Sequence, residues 1–386
     1  MLKKNPSINC TGCGACAASC PLGCITLVRN EEGFLYPVVD EERCVGCDRC
    51  LGVCPSLHKA ATEGVTDAAA MVNCDAEQQR TSSSGGVFVL LASHIIERGG
   101  VVFGAAFSDD FKSVRHIVVS QKEDLDKLKQ SKYLQSDSGA SYAEAKHYLE
   151  EGIPVLFTGT PCQIAGLFGY LGREYDNLYT QDIVCHGVPS PGIWEQYLSY
   201  LEKRMGARAV SVAFRNKRYG WQAFHVRVEF ANGKVYTKHH AEDLYMRGFL
   251  NNLYLRPSCH RCDFKGMHRP ADITLADFWG VETAYPALYD ACGTSLVLTH
   301  SEKGRALLSK IGNVKSVAVD VKTALTYNSA ALESVAEHPK RALFWASLNE
   351  YSLIEGLRAF YPVSIKQQAK RIVKRMLFAC RRLFKK

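Results

Sequence analysis

CTGCGACAASCP at residues 10–21 and CVGCDRCLGVCP at residues 44–55 each place four cysteines in eleven positions and close the run with a proline. Both stretches read C-x2-C-x2-C-x3-C-P. A tetrahedral zinc site takes its ligands as two separated pairs, so zinc fits this spacing poorly, as does a disulfide framework. Three thiolates at steps of three wrap one loop around three corners of a cubane, and the fourth corner comes from elsewhere. In the two-cluster bacterial arrangement the cysteine before proline ligates the other cluster. The spacing therefore assigns Cys10, Cys13, Cys16 and Cys54 to one [4Fe–4S] cluster, and Cys44, Cys47, Cys50 and Cys20 to a second. Gly12, Gly14, Ala15 and Gly46 let the backbone bend tightly around them. Between the runs, ITLVRNEEGFLYPVVD alternates as a short hairpin, and Cys24, outside the pattern, reads as packed.

The chain has 386 residues, 47% of them apolar, room for two or three domains at roughly 150 residues each. The N-terminal MLKKNPSINC lacks an apolar core and does not read as a secretory signal. VFVLLASHII, the longest apolar stretch, falls short of the ~20 residues a membrane span needs. Sixteen cysteines whose spacing demands thiolates point to a reducing compartment, and a cytoplasmic protein is expected. The net charge of +8 is concentrated at residues 364–386, SIKQQAKRIVKRMLFACRRLFKK, which carry nine Lys or Arg and no acid. Helical spacing of Ile365, Ala369, Ile372, Val373, Met376, Leu377, Leu383 and Phe384 predicts a basic amphipathic helix. Such a helix can lie on the anionic inner membrane surface or dock on protein. Nucleic acid is not expected, since no recognition fold accompanies the bases.

A small, polar stretch near residues 57–70 reads as a linker. Beyond it, helix-period segments (VFVLLASHIIERGG, ASYAEAKHYLEEG, PCQIAGLFGYLG, WEQYLSYLEKRMG) alternate with strand-like runs (VVFGAAF, VRHIVVS, PVLFTGT, YTQDIVCHG). FHVRVEFANGKVYTK alternates about Asn232-Gly233, a hairpin signal. The reading is an α+β fold: a two-cluster ferredoxin domain at 1–58, a larger mixed α/β core at 71–345, and a helical basic tail at 346–386. No G-x-G-x-x-G follows a strand and no P-loop is present.

Four further cysteines, Cys162, Cys185, Cys259 and Cys262, fall in the core, Cys162 and Cys185 at ends of strand-like runs, where a sheet delivers residues to one edge. They either hold a third [4Fe–4S] cluster or pack as small hydrophobes. His186 and His260 adjoin them and either orient a substrate or, as the reading favours, serve as structural histidines. TSSSGGVF, residues 81–88, precedes a long helix and is either an anion site or a plain N-cap.

TSSSGGVF, KYLQS (132–136), FTGTPCQIAGL (157–167), DIVCHGVPSPG (182–192), CHRC (259–262) and RPADITLADFWG (269–280) together resemble, in order, the family of beta subunits of coenzyme F420-reducing hydrogenases and dehydrogenases. The resemblance implies an FAD-containing iron–sulfur flavoprotein with a flavin-binding core. It implies that Ser82, Ser83, Ser84, Gly85, Gly86, Thr158, Gly159 and Thr160 line the FAD, with Lys132, Gln135 and Ser136 near it. It also matches Cys162, Cys185, Cys259 and Cys262 to the family's core cysteines, hence to a third cluster. Residues beyond 345 match nothing in the family.

A flavin takes a hydride as two electrons and releases them singly, whereas a cluster carries one. The expected function is an oxidoreductase passing electrons between clusters and FAD and a hydride equivalent between FAD and a small organic molecule. Coenzyme F420 or a sugar-linked acceptor of surface-polysaccharide synthesis are candidate substrates, and ferredoxin or another redox protein the partner. A non-catalytic electron-transfer subunit is the alternative. No catalytic acid or base is assigned.

Overall fold

The computed structural model describes residues 9–58 and 64–362. At the N-terminus, strands β1 (Ile25–Arg29) and β2 (Leu35–Val39) form the antiparallel hairpin expected there, Ile25 facing Val39 and Arg29 facing Leu35. Its turn closes because Gly33 adopts φ +80°, a conformation open to glycine, while Asn30 Oδ1 accepts from Phe34 N at 2.9 Å. Two short helices, Ala15–Ser19 and Arg49–Gly52, flank the hairpin.

The remaining strands are β3 (Asp67–Asn73), β4 (Val101–Phe107), β5 (Val114–Val119), β6 (Val155–Thr158), β7 (Leu178–Ile183), β8 (Ala209–Asn216), β9 (His225–Phe230), β10 (Val235–His239), β11 (Ile273–Asp277), β12 (Ser295–Thr299) and β13 (Val314–Val319). Eight of them make one mixed sheet in the order β13-β3-β12-β11-β7-β6-β4-β5. At its centre β4, β6, β7 and β11 run parallel, buried nearly throughout, as strands covered on both faces must be. Helix Val87–Glu97 packs Val87, Leu91 and Ile95 on one face, and helices Gly139–Glu150 and Pro161–Leu171 cover the other. The smaller sheet, β10-β9-β8, contains the Asn232-Gly233 hairpin and packs against helix Pro191–Met205 in an aromatic core that includes Trp194, Tyr197, Phe214 and Tyr245. Among the described residues no helix is long and apolar enough to cross a membrane.

Two boundaries differ from the sequence reading. Residues 67–70, read as linker, begin β3, which pairs with both β12 and β13 and buries Ala68 and Ala70. Alanine has low strand propensity, and burial between two neighbours overrides it here. At the other end, residue 345 falls inside helix Arg341–Ser347. Helix Leu353–Phe360 then carries Leu353, Ile354 and Leu357 into the aromatic core, because leucine and isoleucine one turn apart make a stripe that must be covered. The basic segment 364–386 lies outside the described residues.

Candidate functional site: three groups of cysteines

Cys10, Cys13 and Cys16 occupy a loop and the helix turn that follows it. Gly12 and Gly14 give that loop left-handed φ values of +70° and +82°. Cys54 arrives just after helix Arg49–Gly52. Burial pushes the Cys13 thiol up to about 11, with Cys10 and Cys54 adding to the rise. Burial likewise pushes Cys16 up to about 12, with Cys13, Cys10 and Cys54 close enough to contribute. The predicted first set is thus one neighbourhood of four thiols.

Cys20, Cys44, Cys47 and Cys50 ring a separate cavity of about 630 Å³, mouth included. Cys24 shares it: only 4% exposed, its Sγ stands 3.3 Å from that of Cys20. This fifth thiol is packed, as expected, but packed at the cavity wall. Cys47 is exposed.

The core cysteines converge as well. Cys162 is the second residue of helix Pro161–Leu171, following β6; Cys185 follows β7; Cys259 and Cys262 sit in and just after the 3-10 helix Pro257–Arg261. All four line one cavity of about 480 Å³ at the carboxyl ends of the parallel strands, where open α/β sheets bind ligands. Burial raises Cys185, pushes Cys259 up to about 12 and raises Cys162 well above the ordinary value, with Cys262 adding to all three. Lys265 and Arg269 line the same wall, and Lys265 pulls the Cys185 thiol back down. One buried polar atom of the lining, Arg269 Nη1, has no partner; an anionic group in the cavity would give it an acceptor. Among the described residues no three His, Cys, Asp or Glu side chains close on a single ion. The second set and the core set instead line cavities, which fits polynuclear clusters held by four cysteines. His186 Nε2 donates to Asn252 Oδ1 (2.7 Å) and lies edge-on to Phe249, and His260 Nδ1 meets Val335 O at 3.1 Å, so both are tied to the scaffold.

The residues expected around FAD are differently placed. Ser82 Oγ donates to Gln78 O, Ser84 Oγ to Thr294 O and Thr158 Oγ1 to Phe103 O; Ser83 Oγ meets Ser131. Ser136 Oγ accepts from Gln163 Nε2, and Gln135 bonds Thr11 O and Arg256. Lys132 Nζ donates to Lys127 O and Lys129 O, and loss of water there pushes its ammonium down to about 7. Gly85 packs on Met71 O and Ser295, Gly86 caps helix Val87–Glu97, and Gly159 N donates to Gln181 O. Thr160 caps helix Pro161–Leu171 in a reciprocal box with Gln163 and touches Cys162 Sγ at 3.1 Å. The side chains of these residues are hydrogen-bonded within the protein, while among the described residues no backbone partner is seen for the N–H groups of Ser83, Ser84 and Gly86 at the start of helix Val87–Glu97.

The N-terminal unit is seated on the core by close backbone approach. A β-carbon on Gly14 would stand 2.9 Å from Gly139 Cα, and one on Gly33 2.8 Å from Gly192 Cα. On helix Pro161–Leu171, Gly169 faces Val53 O, where a β-carbon would come within 2.3 Å. Cys162, Gly166 and Gly169 are spaced i, i+4, i+7 and share one helix face. Thr11 closes the contact: it belongs to the first cysteine loop and lines the core cavity. Sequence reasoning missed Thr11, Arg256, Lys265 and Arg269, since nothing in composition separates a buried cation from a surface one.

Residues 9–57 match the 4Fe-4S dicluster domain, and residues 154–323 match the family described as the C terminus of the coenzyme F420 hydrogenase/dehydrogenase beta subunit. The chain joins a region that matches the dicluster domain to one that matches the C-terminal domain of the F420 hydrogenase/dehydrogenase beta subunits. The beta-subunit domain thus contains all four core cysteines, and the dicluster domain all eight of the paired runs. Similar proteins include the coenzyme F420-dependent sulfite reductase of Methanocaldococcus jannaschii, 29% identical over 41% of this chain and 24% of that protein. Another is one of the subunits of the F(420)H(2) dehydrogenase of Methanosarcina mazei, 23% identical over 40% of this chain and 46% of that protein. The matched region therefore spans less than half the length of either. A chain of the F420-reducing [NiFe] hydrogenase complex from Methanosarcina barkeri aligns over 78% of this chain and 92% of its own, at 16% identity and a TM-score of 0.45.

Proposed function

We propose that this chain is an iron–sulfur oxidoreductase in which single electrons pass between two clusters of the dicluster domain and a third held by Cys162, Cys185, Cys259 and Cys262. The observation that carries the reading is Thr11, which sits between two ligands of the first set and also walls the core cavity. In this reading Cys10, Cys13, Cys16 and Cys54 hold the inner cluster, and Cys44, Cys47, Cys50 and Cys20 the outer one. The clusters supply one-electron chemistry when bound. The protein would fix the spacing of the inner and core sets by seating glycine against backbone, with their cysteines buried or half-buried.

On the family likeness and the relatives' activities, FAD would supply the two-electron chemistry when bound, with coenzyme F420 or another organic acceptor as its substrate. The side chains expected around it are hydrogen-bonded within the protein. That same observation favours a second reading, a non-catalytic electron-transfer subunit of a larger redox assembly. We also propose that the basic segment 364–386 brings the protein to anionic membrane, with deletion of 364–386 abolishing vesicle binding and leaving the visible spectrum unchanged.

Iron, acid-labile sulfide and flavin per chain after anaerobic purification test the proposal. About twelve irons and one FAD support the three-cluster flavoenzyme. About twelve irons without flavin support the carrier, and about eight remove the core cluster.

A further inference from the structure

Arg215, Arg256, Arg269 and Arg341 are the buried arginines among the described residues. Three have a carboxylate: Arg215 meets Asp277 at 2.9 Å, Arg269 meets Asp182 at 3.2 Å, and Arg341 meets Glu32. Arg256, 0% exposed, has none. Its Nε donates to Cys10 O at 2.7 Å, its Nη1 to Gln135 Oε1 at 2.8 Å and its Nη2 to Leu35 O at 3.0 Å. The same Nη2 lies 3.6 Å from Cys10 Sγ, and the rings of Tyr36 and Phe34 cover the guanidinium at 4.1 and 5.5 Å. A guanidinium does not give up its proton, and a lone buried charge is unfavourable unless an opposite charge accompanies it. The protein side supplies carbonyls, an amide and two rings; the charge also bears on the Cys259 thiol of the core set, but the sulfur within hydrogen-bond reach is that of Cys10. That sulfur belongs to the first cysteine set.

We infer that the counter-charge of Arg256 is the anionic cluster held by Cys10, Cys13, Cys16 and Cys54, and that this fixed cation sets the inner cluster's potential above that of the outer one. The inference rests on the cluster reading proposed above. A [4Fe–4S] centre with four thiolates is an anion and gains one further unit of negative charge when it takes one electron. A cation fixed against a ligand sulfur, out of water, interacts more strongly with the reduced form than with the oxidised one. Hydrogen bonds to cluster sulfurs and local charge are among the features that set such potentials. The outer set lacks this arrangement: Cys47 is exposed, and its neighbours Arg43 and Arg49 are exposed cations, screened by solvent. Arg256 also lies next to the core set, since Cys259 N donates to Arg256 O at 2.9 Å. The electron is therefore held at the stop adjoining the core cavity, whichever way the net flow runs.

EPR-monitored redox titration of the full chain, purified anaerobically, tests this. Arg256→Gln is expected to lower the midpoint of one dicluster-domain cluster, reducing its one-electron reduction equilibrium at least tenfold, which is 59 mV, with the other cluster unmoved. Gln135→Glu places a carboxylate on the guanidinium and should move the same cluster in the same direction, which a purely steric clasp would not do. Should Arg256→Gln retain full iron with both midpoints unchanged, the inference is overturned. If Arg256→Gln loses iron, Gln135→Glu decides, and an unmoved midpoint there rejects it. A wild-type dicluster domain without two clusters' worth of iron would overturn the underlying reading as well, which iron analysis separates from a failure of Arg256 alone.

Discussion

Gly166 lies so close to Cys13 that a β-carbon on it would stand 3.0 Å from both the Cβ and the Sγ of the cysteine. The contact joins the helix that carries Cys162 to the loop that carries Cys10, Cys13 and Cys16. Overpacking a tight contact costs about 1–3 kcal/mol, and here the group displaced is a proposed cluster ligand. Gly166→Val is expected to lower iron content by up to one cluster and to reduce the thermal midpoint, whereas Gly172→Ala, whose β-carbon would meet nothing within 4 Å and whose strain lies only in its φ of +65°, should keep full iron. Equal iron in wild type and Gly166→Val would separate the helix contact from cluster retention.

Replacing Cys185 and Cys259 together by serine is expected to remove about four irons per chain and to preserve the signals of the dicluster domain. Iron analysis with EPR of the reduced protein reads this directly. An unchanged iron content would leave the four core thiols as packed cysteines.

Arg341 grips Glu32 with two nitrogens, Nη1 reaching Oε1 at 2.7 Å, and its Nη2 also donates to Leu255 O. The pair clamps the hairpin turn of the dicluster domain to the C-terminal helices. Charged hydrogen bonds of this kind contribute about 1.5–3 kcal/mol, so Arg341→Met should destabilise by about 2 kcal/mol. Combined with Glu32→Gln the loss should be smaller than the sum of the two single changes, by about 1 kcal/mol, in denaturant midpoints.

His116 is buried beside Thr158 O, its Nε2 at 2.9 Å and its Nδ1 without a partner. Burial pushes its imidazole down to about 4 from an ordinary 6.5. The unfolded chain therefore binds this proton first as pH falls, and stability drops from pH 6.5 towards 4. Between pH 7 and 5.5 the loss from this one group should be about 1 kcal/mol. His116→Gln should flatten that part of the pH–stability curve; a curve of the same slope would place the acid sensitivity elsewhere.

The dicluster domain was legible because its ligand spacing is dense enough to exclude other chemistry, and the hairpin at Asn232-Gly233 because its turn residues are diagnostic. The segments read as strands around Val101–Phe107, Val155–Thr158 and Leu178–Ile183 fall in the sheet, and their burial on both faces explains their continuous apolar runs. Strand β3 was hidden by Ala68, Ala69 and Ala70, whose strand state depends on neighbours 200 residues away in sequence. The serines of SSSGG illustrate a different limit. Hydroxyls beside glycines suit a phosphate or a loop anchor equally, and only the fold reveals that Ser84 is turned to Thr294 O and Ser83 to Ser131. Arg256 carried no signal at all, since its meaning comes from the absence of a carboxylate around it.

The backbone-to-backbone seat at Gly14 and Gly139, repeated at Gly33 and Gly192, has a kinetic meaning. Side chains can slide over one another, but two α-carbons in contact leave no play. On the proposed reading, exchange between the inner cluster and the core cluster then involves no diffusive search and no docking equilibrium. It is a hop across a frozen gap, indifferent to solvent viscosity and to salt, and only the outermost cluster is left to meet partners by collision.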